Sequence, residues 1–89
     1  MQRKSIQEEG YAVLQERLIE ERTKAGLTQM QLAAKLHKPQ SYVSKYERGE
    51  RRLDVIEFIL IARALGIEPG LTVMHVDMNM PVEKRRVSK

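Results

Sequence analysis

The sequence predicts an all-α fold, a compact domain of four to five short helices with a polar C-terminal tail. Three observations carry this. Apolar residues recur at helical spacing from Tyr11 onward, two N-terminal capping signatures (Thr28 with Gln31, Asp54 with Glu57) each open an apolar-periodic run, and Pro39 divides two short helical segments.

The first helix is expected over about 8–24, because Tyr11, Leu14, Leu18 and Ala25 share one face while Glu16, Glu20, Glu21 and Lys24 point elsewhere. Gly26 ends it. Thr28 then opens a second helix at Gln29, with Leu27 and Leu32 placed as a hydrophobic staple. Pro39 limits that helix to about two turns, ending near Leu36, because proline lacks an N–H and pushes Lys38 out of the helical region. A third helix is expected over about 40–48, closed by Gly49, and a fourth from Asp54 to Leu65, closed by Gly66. Val55, Phe58, Ile59, Ala62 and Leu65 are assigned to its inward face. Residues 71–76, LTVMHV, fit the alternation of a strand as well as a helical period, and both readings stay open. The domain is placed at 8–76 and a flexible basic tail at 77–89, ending in Lys84, Arg85, Arg86 and Lys89.

The composition, 42% hydrophobic and 31% charged, is that of a folding globular chain rather than a disordered one. With no cysteine there is no disulfide framework or thiolate metal site, and His37 and His75 lie too far apart in sequence to read as a ligand pair, so no metal and no cofactor are expected. No apolar run reaches membrane-spanning length and the opening MQRKSIQEEG lacks a signal-peptide core, so the expectation is a cytoplasmic protein. No clustered carboxylates, nucleophile–histidine pair or glycine-rich phosphate loop points to an enzyme or to a small-molecule ligand.

Charge is the more informative property. Residues 1–27 and 54–89 each carry five basic and five acidic side chains, whereas 28–53 holds Lys35, Lys38, Lys45, Arg48, Arg51 and Arg52 against Glu47 and Glu50. The whole net charge of +4 therefore sits in the middle of the chain, which implies a polyanionic partner. On a helical wheel of the third helix, Gln40, Ser41, Ser44, Lys45 and Arg48 share one arc, and Tyr42, Val43, Tyr46 and Glu47 share the other. The polar arc contains hydrogen-bonding and cationic types suited to base edges and phosphates, and the major groove of B-DNA admits one α-helix.

The stretch Leu27-Thr28-Gln29-x-x-Leu32-Ala33-x-Lys35-Leu36, followed by Pro39-Gln40-Ser41-Tyr42-Val43-Ser44-Lys45-Tyr46-Glu47-Arg48-Gly49, closely resembles the phage-repressor (Cro/C1, XRE-type) helix-turn-helix family. The resemblance covers roughly 8–70, with the helix-turn-helix at about 28–48. It implies a lambda-repressor-like domain that binds double-stranded DNA as a transcriptional regulator, a repressor acting by operator occupancy. It further implies that Gln40, Ser41, Ser44 and Lys45 face bases, and that Gln29 touches a phosphate and braces Gln40. Lys38, Tyr42, Arg48, Arg51 and Arg52 would contact the backbone, and Arg22 and Glu47 would form a buried ion pair joining the first and third helices. His37 stands where the family commonly has glycine in its turn, a position that calls for positive φ.

Each assignment has a plainer alternative. Gln40, Ser41 and Lys45 are also ordinary solvated residues, Lys45 suits a phosphate as well as a guanine, and a terminal basic run usually serves solubility. Ile56 and Leu60, beside the inward face of the fourth helix, need a cover from the segment after Pro69 or from a second subunit. Ile56, Leu60, Leu71 and Val73 are accordingly the candidates for a homodimer interface, which would set two reading helices one DNA turn apart. The alternative is an antitoxin-like module that binds a partner protein through its C-terminal segment.

Overall fold

The structure, a computed structural model, describes residues 5–81. These residues form five α-helices: α1 (Ile6–Lys24), α2 (Gln29–Lys35), α3 (Gln40–Glu47), α4 (Val55–Leu65) and α5 (Pro69–Asn79). There is no strand among the described residues.

Three helices open on a complete capping box. The side-chain oxygens of Ser5, Thr28 and Asp54 accept from the backbone N–H of Glu8, Gln31 and Glu57, and those three side chains return a bond to the cap residue's own N–H. Each box satisfies two otherwise orphaned donors, which fixes where the helix starts. The first box sets α1 two residues earlier than the apolar period predicts, because the opening turn is polar and its apolar stripe begins only at Tyr11.

The helix ends follow one rule. After α1, α2, α3 and α4 the chain enters the left-handed region at Gly26, His37, Gly49 and Gly66, and the N–H groups of that residue and the next turn back onto the last helical carbonyls. The bonds from His37 N to Ala34 O and from Lys38 N to Ala33 O make the α2 ending such a motif with a non-glycine residue at φ 57°. The positive φ expected at His37 is therefore observed.

The core gathers Leu18 of α1, Leu32 and Ala33 of α2, Val43 and Tyr46 of α3, and Phe58, Ile61 and Leu65 of α4. Helix α3 packs on α2 and on α1, α2 also meets α4, and α5 lies across α1 and α4. One assignment to the inward face of α4 is corrected here. Val55 does not face inward: it is 69% exposed, and Ile61, fully buried, takes the place assigned to it. Val55 and Ile56 in the first turn of α4 are both exposed, so its buried face begins only at Phe58.

Residues 71–76 are helical, and α5 runs through Asp77 to Asn79, three residues into the segment read as tail. Pro69 occupies the first turn, where its missing N–H costs nothing, and Thr72 is buried against the bundle. The β-branched residues are overridden by packing: Met80, just past the helix, closes over Gly10 of α1, where a Cβ would stand 2.7 Å from its methyl carbon. The basic run Lys84, Arg85 and Arg86 lies outside the described residues.

Candidate nucleic-acid interface

The α2 ending throws the chain through His37 and Pro39 directly into α3, so the two helices form a short bihelical unit with a four-residue corner. Val43, Tyr46 and Glu47 anchor α3 from below. Gln40, Ser41, Lys45 and Arg48 are exposed on its other side, with Ser44 half-buried between them. The two arcs read from the sequence are thus the buried and open faces of α3.

Below that open face runs a chain of polar contacts. Arg22 donates to Glu47 with Nε at 2.7 Å from Oε2 and Nη2 at 3.0 Å from Oε1, a bidentate pair whose side chains are 16% and 4% exposed. A third guanidinium nitrogen, Nη1, donates to the Leu27 carbonyl at 2.9 Å. The Gln29 amide donates to Glu47 Oε1 at 2.8 Å, and its own oxygen accepts from Gln40 Nε2 at 3.3 Å. Gln15 donates to the Glu47 carbonyl from α1 at 3.1 Å. The Glu47 carboxylate raises the Arg22 pKa above its already high value through this hydrogen bonding. The arrangement links the first turn of α3 to the bundle interior through successive side chains.

The arginines flanking α3 are not equivalent. Arg48 grips Glu50 through Nε and Nη2, at 3.0 and 3.1 Å, and donates from Nη1 to the Ser44 hydroxyl at 2.6 Å. Arg51 grips Glu57 at 2.7 and 3.1 Å, donates to the Arg52 carbonyl, and lays its guanidinium 4.8 Å from the Tyr42 ring centroid. Lys38 sits over the same ring at 5.2 Å, and Tyr42 in turn meets Tyr46 edge to face, with centroids 5.7 Å apart. Arg52 stacks on Tyr11, whose hydroxyl donates to the Arg51 carbonyl. Burial raises the pKa of both Tyr11 and Tyr42, so they act here as neutral rings and hydroxyls.

Sequence reasoning missed four of these groups. Gln15 carries no motif and looks like an ordinary helix-surface residue, and Tyr11 was legible only as part of the apolar face of α1, not as a partner of Arg51 and Arg52. Glu57 was legible only as a cap, although one carboxylate both caps α4 and holds Arg51. Glu50 lay outside the helical wheel of α3, and the turn at Gly49 brings it back beside Arg48.

The helix-turn-helix family model HTH_3 matches residues 18–71. The chain belongs to that helix-turn-helix family, of the Cro/C1-type XRE kind. A solved structure described as an XRE-family like protein from Pseudomonas syringae pv. tomato str. DC3000 is similar to it at 45% identity, with 85% of this chain and 93% of that chain covered and a TM-score of 0.81. No curated protein matches it. It is accordingly a DNA-binding helix-turn-helix regulator. Among the described residues no cluster of histidine, cysteine and acidic residues is suited to a metal, and no helix is long and apolar enough to cross a membrane.

Proposed function

We propose that this helix-turn-helix protein is a sequence-specific, homodimeric repressor that acts by occupying an operator, with α3 in the major groove. Gln40, Ser41, Ser44 and Lys45 read base edges, while Gln29, Lys38, Tyr42, Arg48, Arg51 and Arg52 lie along the sugar-phosphate backbone. The observation that carries this reading is the relay from Arg22 through Glu47 and Gln29 to Gln40. A flexible surface glutamine has no reason to be tied to a buried ion pair unless its position matters, and base reading needs a fixed amide.

Dimerisation is supported by the apolar surface of the last two helices. Ile56, Leu60, Leu71 and Val73 are 64%, 51%, 63% and 57% exposed, with Met74 and Met78 beside them on α5. Exposed apolar surface on this scale marks an interaction face. A two-fold pairing through it gives two copies of α3 and an inverted-repeat target.

The test is selection from a random duplex library at fixed physiological salt, with the wild type and with the Gln40→Ala, Lys45→Ala double variant, alongside sedimentation of the free protein. An inverted-repeat motif that relaxes at defined positions in the variant supports the reading. Salt-sensitive binding with no enriched motif rejects sequence-specific repression. A monomer whose apolar face stays open would instead assign that face to another protein.

A further inference from the structure

The six cations of residues 28–53 divide into two groups. Arg48 and Arg51 are each held bidentately by a carboxylate, Glu50 and Glu57. Lys35, Lys38, Lys45 and Arg52 have no carboxylate within ion-pairing distance among the described residues. The two held pairs differ in turn. Arg51 is fixed from several sides, by Glu57, the Arg52 carbonyl and the Tyr42 ring, and Glu57 is itself tied to the Asp54 N–H. The Arg48–Glu50 pair stands in the open at 56% and 54% exposure, and among the described residues its further side-chain hydrogen bond is to the Ser44 hydroxyl. Its geometry comes from Gly49, whose φ of +79° lets the Glu50 N–H bond back to the Lys45 carbonyl at 2.8 Å and folds the glutamate alongside the helix it follows.

Resting on the reading of α3 as the base-reading helix, we propose that Glu50 is a specificity-determining residue, a charge gate that withholds Arg48 from the backbone of arbitrary DNA. Sequence-independent affinity comes from cations that neutralise phosphates, and every such contact strengthens binding everywhere on the genome alike. Glu50 lowers that background in two ways. It occupies the guanidinium edge that would grip a phosphate, and it sets a carboxylate near the strand. Exposed ion pairs are weak, so the pair opens readily once α3 is seated by its base contacts. Arg48 then exchanges Glu50 for a phosphate and releases the Ser44 hydroxyl to a base edge. Backbone gripping is thereby made to follow base recognition.

The experiment compares wild type, Glu50→Gln and, as an equal change in net charge, Glu20→Gln, whose glutamate pairs with Arg17 on α1 at 3.6 Å. Affinity for the selected operator and for a scrambled duplex of equal length is measured across a salt series. One further phosphate contact at about 0.15 M salt corresponds to roughly fivefold tighter binding and a salt dependence steeper by about one. Glu50→Gln is expected to show both on scrambled DNA and a smaller gain on the operator, so the operator-to-scrambled ratio falls, while Glu20→Gln leaves that ratio in place. An operator selected by wild type, with Glu50→Gln matching Glu20→Gln in slope and ratio, overturns the gate alone. Failure of wild type to select any operator overturns the base-reading role and the gate with it. Thermal melts matching wild type establish that the glutamine variants are folded.

Discussion

Glu47 Oε1 accepts from both Arg22 Nη2, at 3.0 Å, and Gln29 Nε2, at 2.8 Å, so one carboxylate oxygen joins the first, second and third helices at a single point. Its partner Oε2 takes Arg22 Nε at 2.7 Å. A carboxylate this buried is tolerable only because charge and donors are supplied together.

Removing one partner therefore leaves an uncompensated buried charge. Glu47→Ala is expected to lower unfolding stability by about 3 kcal/mol, the size typical of broken buried pairs, as read from urea melts. The Arg22→Ala, Glu47→Ala double variant should be less destabilised than the sum of the singles, and strict additivity would show that the pair contributes no coupling. Gln29→Ala leaves the pair intact. It should cost little stability while weakening operator binding through loss of the brace on Gln40.

His37 holds φ 57°, where a glycine carries no steric cost and a β-branched residue carries the most. His37→Gly is expected to raise stability by up to about 1 kcal/mol, the relief of left-handed strain exceeding the added entropy of the unfolded chain. His37→Val should lower it by about 1–2 kcal/mol. Thermal melts showing the opposite order would mean that the imidazole makes contacts worth more than the strain.

The Glu57 carboxyl is held well below its ordinary value of 4.5, at about 2, first by the hydrogen-bonded Arg51 guanidinium and then by the Asp54 N–H. A carboxyl depressed in the folded state stabilises fully above its unfolded value and loses that stabilisation as pH falls toward the folded one. The contribution is accordingly present above about pH 4.5 and drains away between there and about pH 2. Glu57→Gln keeps an oxygen for the Asp54 N–H and removes the titration. Its stability should fall less steeply across that window than the wild type's in acid denaturation. Equal slopes would show the Arg51–Glu57 pair to be open in solution.

How far the sequence carried this picture depends on the range of the interactions. Helix starts at Thr28 and Asp54 and the ends at Gly26, Gly49 and Gly66 were legible because caps are settled within four or five residues. The start of α1 was equally local, at Ser5 and Glu8, and was passed over because the apolar stripe begins later. Helix α5 was not legible, because Thr72, Val73 and Val76 carry strand propensity that the packing of Thr72 and Met80 on the bundle overrules. At the candidate site, the types on the open face of α3 could be read from its wheel. The pairings of Arg48 with Glu50 and Arg51 with Glu57 could not, since they depend on where a left-handed turn and a helix cap deliver two carboxylates.

Tyr46 gives a prediction in the opposite sense to most core changes. Its ring is 1% exposed and packs edge to face on Tyr42 at 5.7 Å, yet its hydroxyl makes no hydrogen bond among the described residues. Burial pushes its pKa far up, the mark of a phenol in apolar surroundings. A buried donor without a partner carries a desolvation penalty of about 1–3 kcal/mol, while the ring carries the packing. Tyr46→Phe should therefore be neutral or stabilising by about 1 kcal/mol. Tyr46→Ala, which deletes the ring beneath α3, should cost about 3–5 kcal/mol, the range for large-to-small aromatic changes in a core. If urea melts instead show Tyr46→Phe losing more than about 1 kcal/mol, the hydroxyl has a bonding partner in solution, since that is the net worth of one ordinary hydrogen bond.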